Sequence, residues 1–134
     1  MTIEIITVPC LKDNYAYLIH GNGKTALVDV PEARPIIAAL DARGWSLDEI
    51  WITHHHLDHI EGIPELCDRY GPKLLGAAAD TRRLPELDTA LGDGDTFSFA
   101  DSTVSVLDVS GHTIGHIAYY LPDANAVFTA CLLY

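Results

Sequence analysis

The segment at residues 53–59, Thr-His-His-His-Leu-Asp-His, constrains this chain more than any other feature of its sequence. Four of the seven histidines lie within it. It directly follows a β-branched run at residues 49–53, which predicts a short buried strand. Imidazole rings are costly to crowd together unless something neutralises or coordinates them. The fold must therefore contain a strand end at which several imidazoles are gathered.

The spacing within this segment indicates metal ligands. Side chains alternate along an extended backbone, so His54 and His56 should project to the same side. If the chain then turns into the helix predicted from Pro64 onward, Asp58 and His59 can converge on a neighbouring point. A solvated loop or an expression tag would share the composition, but this cluster is internal, between a predicted strand and a predicted helix. Imidazole and carboxylate donors suit zinc-type ions, and the segment can hold one or two of them.

A second histidine motif, Gly-His-Thr-Ile-Gly-His at residues 111–116, follows the strand predicted at residues 103–109. Its glycines permit a tight backbone path that would deliver His112 to a site formed elsewhere. A third imidazole completes the three-histidine set of catalytic zinc sites, which leaves one position for water. Alone, the motif would indicate a packed or capping histidine; beside the first cluster it favours ligation by His112. For His116, a supporting hydrogen bond and a structural role both stay open.

The rest of the pattern predicts a mixed α/β fold. We expect strands at residues 3–8, 15–19, 25–30, 49–53, 73–76, 97–99, 103–109, 117–121 and 126–129. One helix should start at Pro31 or Pro35 and end at Gly44, and a second should start at Pro64. Strands and helices alternate early and strands dominate late, which is typical of two facing sheets with helices outside, an αββα sandwich. Because no linker or repeat interrupts the pattern, we expect residues 1–134 to form one domain.

Charge and cysteine content exclude several function classes. Eight Lys and Arg against nineteen Asp and Glu give a formal net charge of -11, which argues against a nucleic-acid partner. The N-terminal residues do not resemble a signal peptide, and no apolar run approaches the ~20 residues of a membrane span. Cys10, Cys67 and Cys131 are too dispersed for a disulfide framework, which suits a reducing compartment. We expect a soluble cytoplasmic protein without a membrane partner.

These motifs together resemble the metallo-β-lactamase superfamily, whose His-x-His-x-Asp-His signature is matched at residues 54–59. The resemblance is closer to one branch, the glyoxalase II type hydroxyacylglutathione hydrolases. Residues 8–18 (Val-Pro-Cys-Leu-Lys-Asp-Asn-Tyr-Ala-Tyr-Leu), residues 27–30 (Leu-Val-Asp-Val) and residues 111–116 follow in that branch's order. The similarity spans essentially the whole chain. It implies the αββα fold and hydrolysis of the thioester S-D-lactoylglutathione to glutathione and D-lactate at a two-metal centre.

The resemblance also implies roles for individual residues. The first metal would be bound by His54, His56 and His112, and the second by Asp58 and His59. Asp58 would in addition orient the attacking hydroxide, which makes it the expected catalytic residue. The ions would be zinc, or alternatively iron or manganese. Asp29 matches a family aspartate that supports the metal loop, and an ordinary turn-capping role suits its position equally well.

The chain departs from the family where a bridging aspartate should follow the strand at residues 126–129. Here the sequence reads Ala130-Cys131. A Cys131 thiolate could close a structural three-histidine, one-cysteine zinc site that leaves no position for water. If it points away, the site stays open to water; a buried apolar cysteine is a further reading. Without the bridging aspartate, we expect a second metal ion to be weakly held.

The chain also ends at Tyr134, before a further metal-binding histidine of the family. We therefore expect an incomplete second sheet and no helical domain for binding glutathione. An uncovered sheet edge that includes Leu132, Leu133 and Tyr134 predicts self-association. Three functions stay open: a glutathione thioester hydrolase, a non-catalytic metal-binding remnant of that fold, and another hydrolase of the superfamily such as a lactonase. The segment at residues 8–18 argues against the last.

Overall fold

The computed structural model describes residues 3–10, 14–30, 32–53, 62–77, 87–100, 102–108, 117–122, 126–129 and 132–133. The first sheet has six strands, in the spatial order in which the chain forms them: β1 (Glu4–Cys10), β2 (Asn14–Gly21), β3 (Lys24–Val28), β4 (Glu49–Trp51), β5 (Lys73–Ala77) and β6 (Thr89–Leu91). The second has five, in the spatial order β11-β10-β9-β8-β7: β7 (Thr96–Phe99), β8 (Ser102–Asp108), β9 (Ile117–Leu121), β10 (Ala126–Thr129) and β11 (Leu132–Leu133).

Two crossover helices explain how the first sheet changes from antiparallel to parallel pairing. Strands β1, β2 and β3 form an antiparallel meander, whereas β3, β4, β5 and β6 pair in parallel. Helix α1 (Ala33–Arg43) connects β3 to β4, and α2 (Ile63–Tyr70) lies between β4 and β5. A parallel pair needs such a crossover because the chain must return to the starting edge of the sheet. As a result the carboxyl ends of β3 and β4 lie side by side.

The helix end predicted at Gly44 is confirmed, and a tight turn joins the second and third strands. Asn22 and Gly23 have positive φ angles of 49° and 77° and connect β2 to β3 in a two-residue hairpin, where this conformation matches the twist of the strands. Gly44 ends α1 with a φ of 68°, and the next amide, of Trp45, donates to the Leu40 carbonyl at 3.0 Å. The hairpin turn and the helix end both require a left-handed backbone, which glycine and asparagine adopt at the lowest cost.

Side-chain alternation in the first sheet divides the apolar residues between two cores. One core lies between the sheets and contains Trp51, Phe99, Tyr119 and Phe128. The other lies between the first sheet and the two helices, and its largest buried members include Leu27, Ile36, Leu40, Ile50 and Ile52. The prediction of two facing sheets with helices outside is confirmed, with both described helices against the first sheet.

Two strands and several strand ends differ from the sequence predictions; for example, the strand predicted at residues 49–53 ends at Trp51. Strands β6 and β11 were not predicted, because three and two residues are too few to show alternation. The strand predicted at residues 25–30 ends at Val28, since Asp29 has a φ of 62°. Within the described ranges, no helix is both long and apolar enough to cross a membrane.

Candidate metal centre

The predicted metal ligands lie outside the described residues: His54, His56, Asp58, His59, His112 and Cys131. Their ligation stays a prediction, as does the role of His116. Within the part of the chain that the structure describes, no group of three or more His, Cys, Asp and Glu side chains could hold a metal. The geometry of the candidate site is therefore defined by the residues that flank these ligands on each side.

Asp29 holds the point at which the first histidine segment leaves the sheet. One of its carboxyl oxygens accepts a hydrogen bond from the Thr53 amide at 2.8 Å, and the other accepts one from the Thr53 hydroxyl at 2.7 Å. Asp29 in turn donates its own amide to the Trp51 carbonyl at 3.0 Å. All three groups are buried, so these bonds act in a low-dielectric environment where they are strong. Of the two roles left open for Asp29, this geometry favours support of the histidine segment.

The other end of this histidine segment is followed by Gly62, which lies beside Val30, the residue after Asp29. The Gly62 amide donates to the Val30 carbonyl at 3.0 Å. A Cβ atom at Gly62 would lie 2.6 Å from Val30 Cγ1 and 2.8 Å from the Ala33 amide nitrogen. Both contacts are too close for real atoms, so only glycine allows this approach. Residues 54–61 thus begin and end against the pair Asp29-Val30.

The second histidine segment is joined to the first at the same place. The Ile117 amide, directly after residues 109–116, donates to the Thr53 carbonyl at 2.9 Å. Thr53 directly precedes His54, so the end of one histidine segment contacts the start of the other. This contact crosses between the two sheets, because Ile117 begins β9 and Thr53 follows β4. The sequence prediction that two distant segments meet is supported by their flanks.

The connection between β10 and β11, to which Cys131 belongs in sequence, starts at the same end of the sandwich. Strand β10 runs antiparallel to β9, with Phe128 opposite Tyr119. Its last residue, Thr129, therefore lies toward the Ile117 end of β9, and Thr129 pairs with Leu132 of β11. All three predicted ligand segments, at residues 54–61, 109–116 and 130–131, are thus attached to one end of the sandwich.

Tyr119 adds a side-chain hydrogen bond between the two sheets near this end of the sandwich. Its hydroxyl donates to the Ile52 carbonyl at 2.7 Å and lies 3.4 Å from the Leu75 carbonyl. Complete burial raises the pKa of Tyr119 well above its ordinary value, and the Asp29 carboxylate raises it further, against a smaller lowering by the Ile52 bond. The hydroxyl therefore stays protonated and remains a donor at neutral pH.

Sequence reasoning did not identify the roles of Thr53, Gly62 and Tyr119. Thr53 entered the sequence analysis only as the first residue of the histidine motif, and Gly62 lies just beyond that motif. For Tyr119 a signal was present, since a tyrosine in the apolar run Ile-Ala-Tyr-Tyr-Leu at residues 117–121 needs a hydrogen-bond partner once buried. Its partner could not be named, because Ile52 lies 67 positions away in the chain.

Comparison with known proteins identifies the class to which this fold and its site belong. The family model of the metallo-beta-lactamase superfamily matches residues 12–134, and the chain belongs to that superfamily. A metallo-beta-lactamase from Cronobacter sakazakii shares the fold, with a TM-score of 0.81 at 19% identity over 97% of this chain and 60% of that one. A subclass B3 metallo-beta-lactamase of Bradyrhizobium japonicum shares it with a TM-score of 0.77 at 20% identity, over 96% and 56%.

Two relatives with higher sequence identity are both named hydroxyacylglutathione hydrolase. A hydroxyacylglutathione hydrolase of Ruegeria pomeroyi is 62% identical over 132 residues, which cover 97% of this chain and 52% of the relative. A hydroxyacylglutathione hydrolase of Roseobacter denitrificans is 57% identical over the same shares. The chain therefore spans about half the length of these curated relatives. The resemblance inferred from the histidine motifs is confirmed, at the level of the superfamily and of these relatives.

Proposed function

We propose that this chain acts as a metal-dependent thioester hydrolase of glyoxalase II type, which cleaves S-D-lactoylglutathione to glutathione and D-lactate. The observation that carries the proposal is the bond from the Ile117 amide to the Thr53 carbonyl, which joins the two histidine segments. High identity to proteins named hydroxyacylglutathione hydrolase supports the choice of substrate class. The substrate, a small glutathione thioester, requires neither nucleic acid nor a membrane.

The imidazole, carboxylate and thiolate groups of the three predicted ligand segments suit zinc or a similar divalent ion. We propose His54, His56 and His112 as ligands of one ion, and Asp58 and His59 as ligands of a weaker second ion, with zinc as the first choice and iron or manganese as alternatives. Cys131 remains a candidate ligand. When bound, such an ion lowers the pKa of water toward neutrality and polarises a carbonyl oxygen. The acidic chain, with a net charge of -11, also needs a local positive centre of this kind to attract a glutathione conjugate.

The chain's own residues would orient the reaction. Asp58 would accept a hydrogen bond from the O–H group of the attacking water or hydroxide and direct its oxygen at the thioester carbonyl. The bonds of Asp29 to Thr53 hold the start of the segment that carries Asp58. The leaving group is a thiolate, which departs with little help from a general acid. Orientation of this kind contributes several kcal/mol in enzymes, roughly 7–11 at its most effective.

A non-catalytic metal-binding role is the second candidate, and one observation favours it. Cys131 stands in the connection between β10 and β11, where the sequence comparison led us to expect a bridging carboxylate. A thiolate closing the three-histidine set would make the site structural.

Metal analysis combined with a thioesterase assay separates the two candidates. We expect purified protein to hold about one zinc ion and to hydrolyse S-D-lactoylglutathione. His56→Ala should abolish both, while His20→Gln, at the opposite end of β2 and β3, should leave both unchanged. Stoichiometric zinc without turnover would favour the non-catalytic role. Turnover that survives His56→Ala, or zinc loss in His20→Gln alone, would contradict the ligand set.

We further propose that residues 1–134 act as one cytoplasmic domain that self-associates through the β11 edge. The core shared by the two sheets supports a single unit, and a strand at the end of a sheet order is where another chain can add. Sedimentation velocity over a range of concentrations tests this. A lysine at Leu133 should shift the protein toward the monomer, whereas a sedimentation coefficient independent of concentration in the unchanged protein would refute self-association.

A further inference from the structure

Tyr119 makes a contact that neither packing nor the ligand set explains. Its ring is fully buried between the sheets and packs against Trp51 and Phe97, with ring centroids 5.4 and 6.2 Å away. A phenylalanine would fill this space equally well. The hydroxyl adds contacts that a phenylalanine would lack: it donates to the Ile52 carbonyl at 2.7 Å and lies 3.4 Å from the Leu75 carbonyl. Ile52 lies just beyond β4 and two residues before His54.

The position of Tyr119 on β9 gives this bond its significance. Tyr119 lies two residues after Ile117, the first residue of this strand. The Ile117 amide bonds the Thr53 carbonyl and the Tyr119 hydroxyl bonds the Ile52 carbonyl, at 2.9 and 2.7 Å. Strand β9 thus holds two consecutive carbonyls of the chain that leads into the first histidine segment. The same strand begins directly after the second histidine segment.

We propose that Tyr119 is a positioning residue that fixes the end of β4 against the start of β9 and thereby sets the metal affinity of the candidate centre. The proposal rests on the metal site proposed above. Asp29, which follows β3 of the first sheet, and the Ile117 amide both hold Thr53. The Tyr119 bond adds a second contact from β9, to the preceding carbonyl, and so fixes the orientation of the strand end relative to the second sheet. Without the hydroxyl, the Ile52 carbonyl is buried without this donor, and the strand end shifts to find another. The imidazoles that follow would then lose their relative placement.

The test compares Tyr119→Phe with Phe99→Leu. Both changes lie in the core between the sheets, and Phe99 packs on Trp51 at 5.4 Å without bonding a strand end. Zinc affinity is measured by competition with a chromophoric chelator, under conditions in which circular dichroism shows every variant folded, with sucrose added if one is not. We expect Tyr119→Phe to weaken zinc binding about tenfold or more, as for other residues that orient ligands. Phe99→Leu should keep the parental affinity.

Hydrogen exchange of the metal-free protein provides a second, independent readout. Tyr119→Phe should speed exchange of the Ile117 amide and of peptides covering residues 50–61 relative to the β1–β2 hairpin, whereas Phe99→Leu should not show this local pattern. If the parent binds zinc and Tyr119→Phe binds it equally well, the positioning role is wrong and the metal site stands. If the parent binds no zinc but the local exchange pattern appears, the metal site is wrong and the positioning of β4 by Tyr119 stands. If the parent binds no zinc and the local exchange pattern is absent as well, both the metal site and the positioning role of Tyr119 are wrong.

Discussion

Asp29 combines a left-handed backbone with a completely buried carboxyl group, two features that are each costly. Its φ of 62° turns the chain sharply after β3, and aspartate tolerates this region better than most residues. The turn aims the carboxyl group at Thr53, whose amide and hydroxyl both donate to it. The strained backbone is therefore the means by which one residue holds the start of the histidine segment.

Removal of the Asp29 side chain should be strongly destabilising. Asp29→Ala deletes both acceptors and leaves the Thr53 donors buried, so we expect a loss of about 3 kcal/mol or more in the free energy of unfolding. Asp29→Asn keeps one acceptor and should lose less. Urea unfolding measures both, with Asp41→Ala as the control. Asp41 forms an exposed ion pair with Arg69 at 3.5 Å, and solvent screening leaves such a surface pair with little effect on stability. Equal losses for Asp29→Ala and Asp41→Ala would contradict the role assigned to Asp29.

Alkaline pH should expose the burial of Tyr119. Because burial raises the pKa of Tyr119 in the folded protein, the unfolded chain releases this proton first as pH rises. Stability is thus retained below about pH 10 and declines above it as the phenol ionises in the unfolded state. Tyr119→Phe should make this decline shallower by up to about 1.4 kcal/mol per pH unit. Phe99→Leu, which removes no phenol, should retain the parental slope in urea titrations at several pH values.

At the scale of elements, the histidine segment is controlled by where β4 ends and α2 begins. Gly62 precedes α2 and packs against Val30 and Ala33, so the helix starts in direct contact with the end of β3 and the first turn of α1. The start of α2 was predictable, because Pro64 is pre-organised for a first helical turn. The contact with α1 was not, since it depends on how the two crossovers pack.

A methyl group at Gly62 should disturb this junction. Gly62→Ala places a Cβ within 2.8 Å of the Ala33 amide nitrogen, and relief of the clash requires backbone movement that costs about 1–3 kcal/mol. Thermal unfolding and zinc affinity should both be reduced. Gly92→Ala is the matched control, because its Cβ would lie 3.8 Å from the nearest atom, Asp95 Oδ2, an ordinary contact. If the two substitutions have the same effect, the close approach at Gly62 has no role in the site.

Local sequence signals, such as turn residues and helix ends, predicted most of the helices and strands. They did not predict the short strands β6 and β11. Asn22-Gly23 and Gly44 indicate a hairpin and a helix end by conformational preferences that act within four residues. Strand β6 shows no such signal. It exists because Leu75, Gly76 and Ala77 of β5 offer it a parallel partner, in register with Thr89–Leu91. Pairing of this kind depends on tertiary context, which periodicity does not report.

At the scale of the whole molecule, three chain segments far apart in sequence are attached to one end of the sandwich. A metal ion bound among them would link both sheets, since residues 54–61 follow β4 of the first sheet in the chain and residues 109–116 come between β8 and β9 of the second. Binding to the folded state alone raises stability in proportion to the logarithm of metal concentration. Metal binding and folding should therefore be coupled.

Zinc should raise the melting temperature of the protein and a chelator should reverse the effect. At 100 times its dissociation constant, a single ion adds about 2.7 kcal/mol to the free energy of unfolding. Differential scanning calorimetry with and without zinc measures the shift. His56→Ala should remove it, while His20→Gln, which alters a histidine stacked on Trp45 at 3.9 Å, should preserve it. An equal shift in all three proteins would indicate binding elsewhere.

The sequence by itself determined the two-sheet class, the helix and turn boundaries, and the choice of histidine segments, because these follow from periodicity, from φ preferences and from donor chemistry within short stretches. Only the tertiary structure decided that Thr53 contacts Asp29 on one side and Ile117 on the other, and that Tyr119 bonds Ile52. These contacts join residues dozens of positions apart. They form only when strand pairing and sheet packing bring those residues together, and no local pattern encodes that geometry.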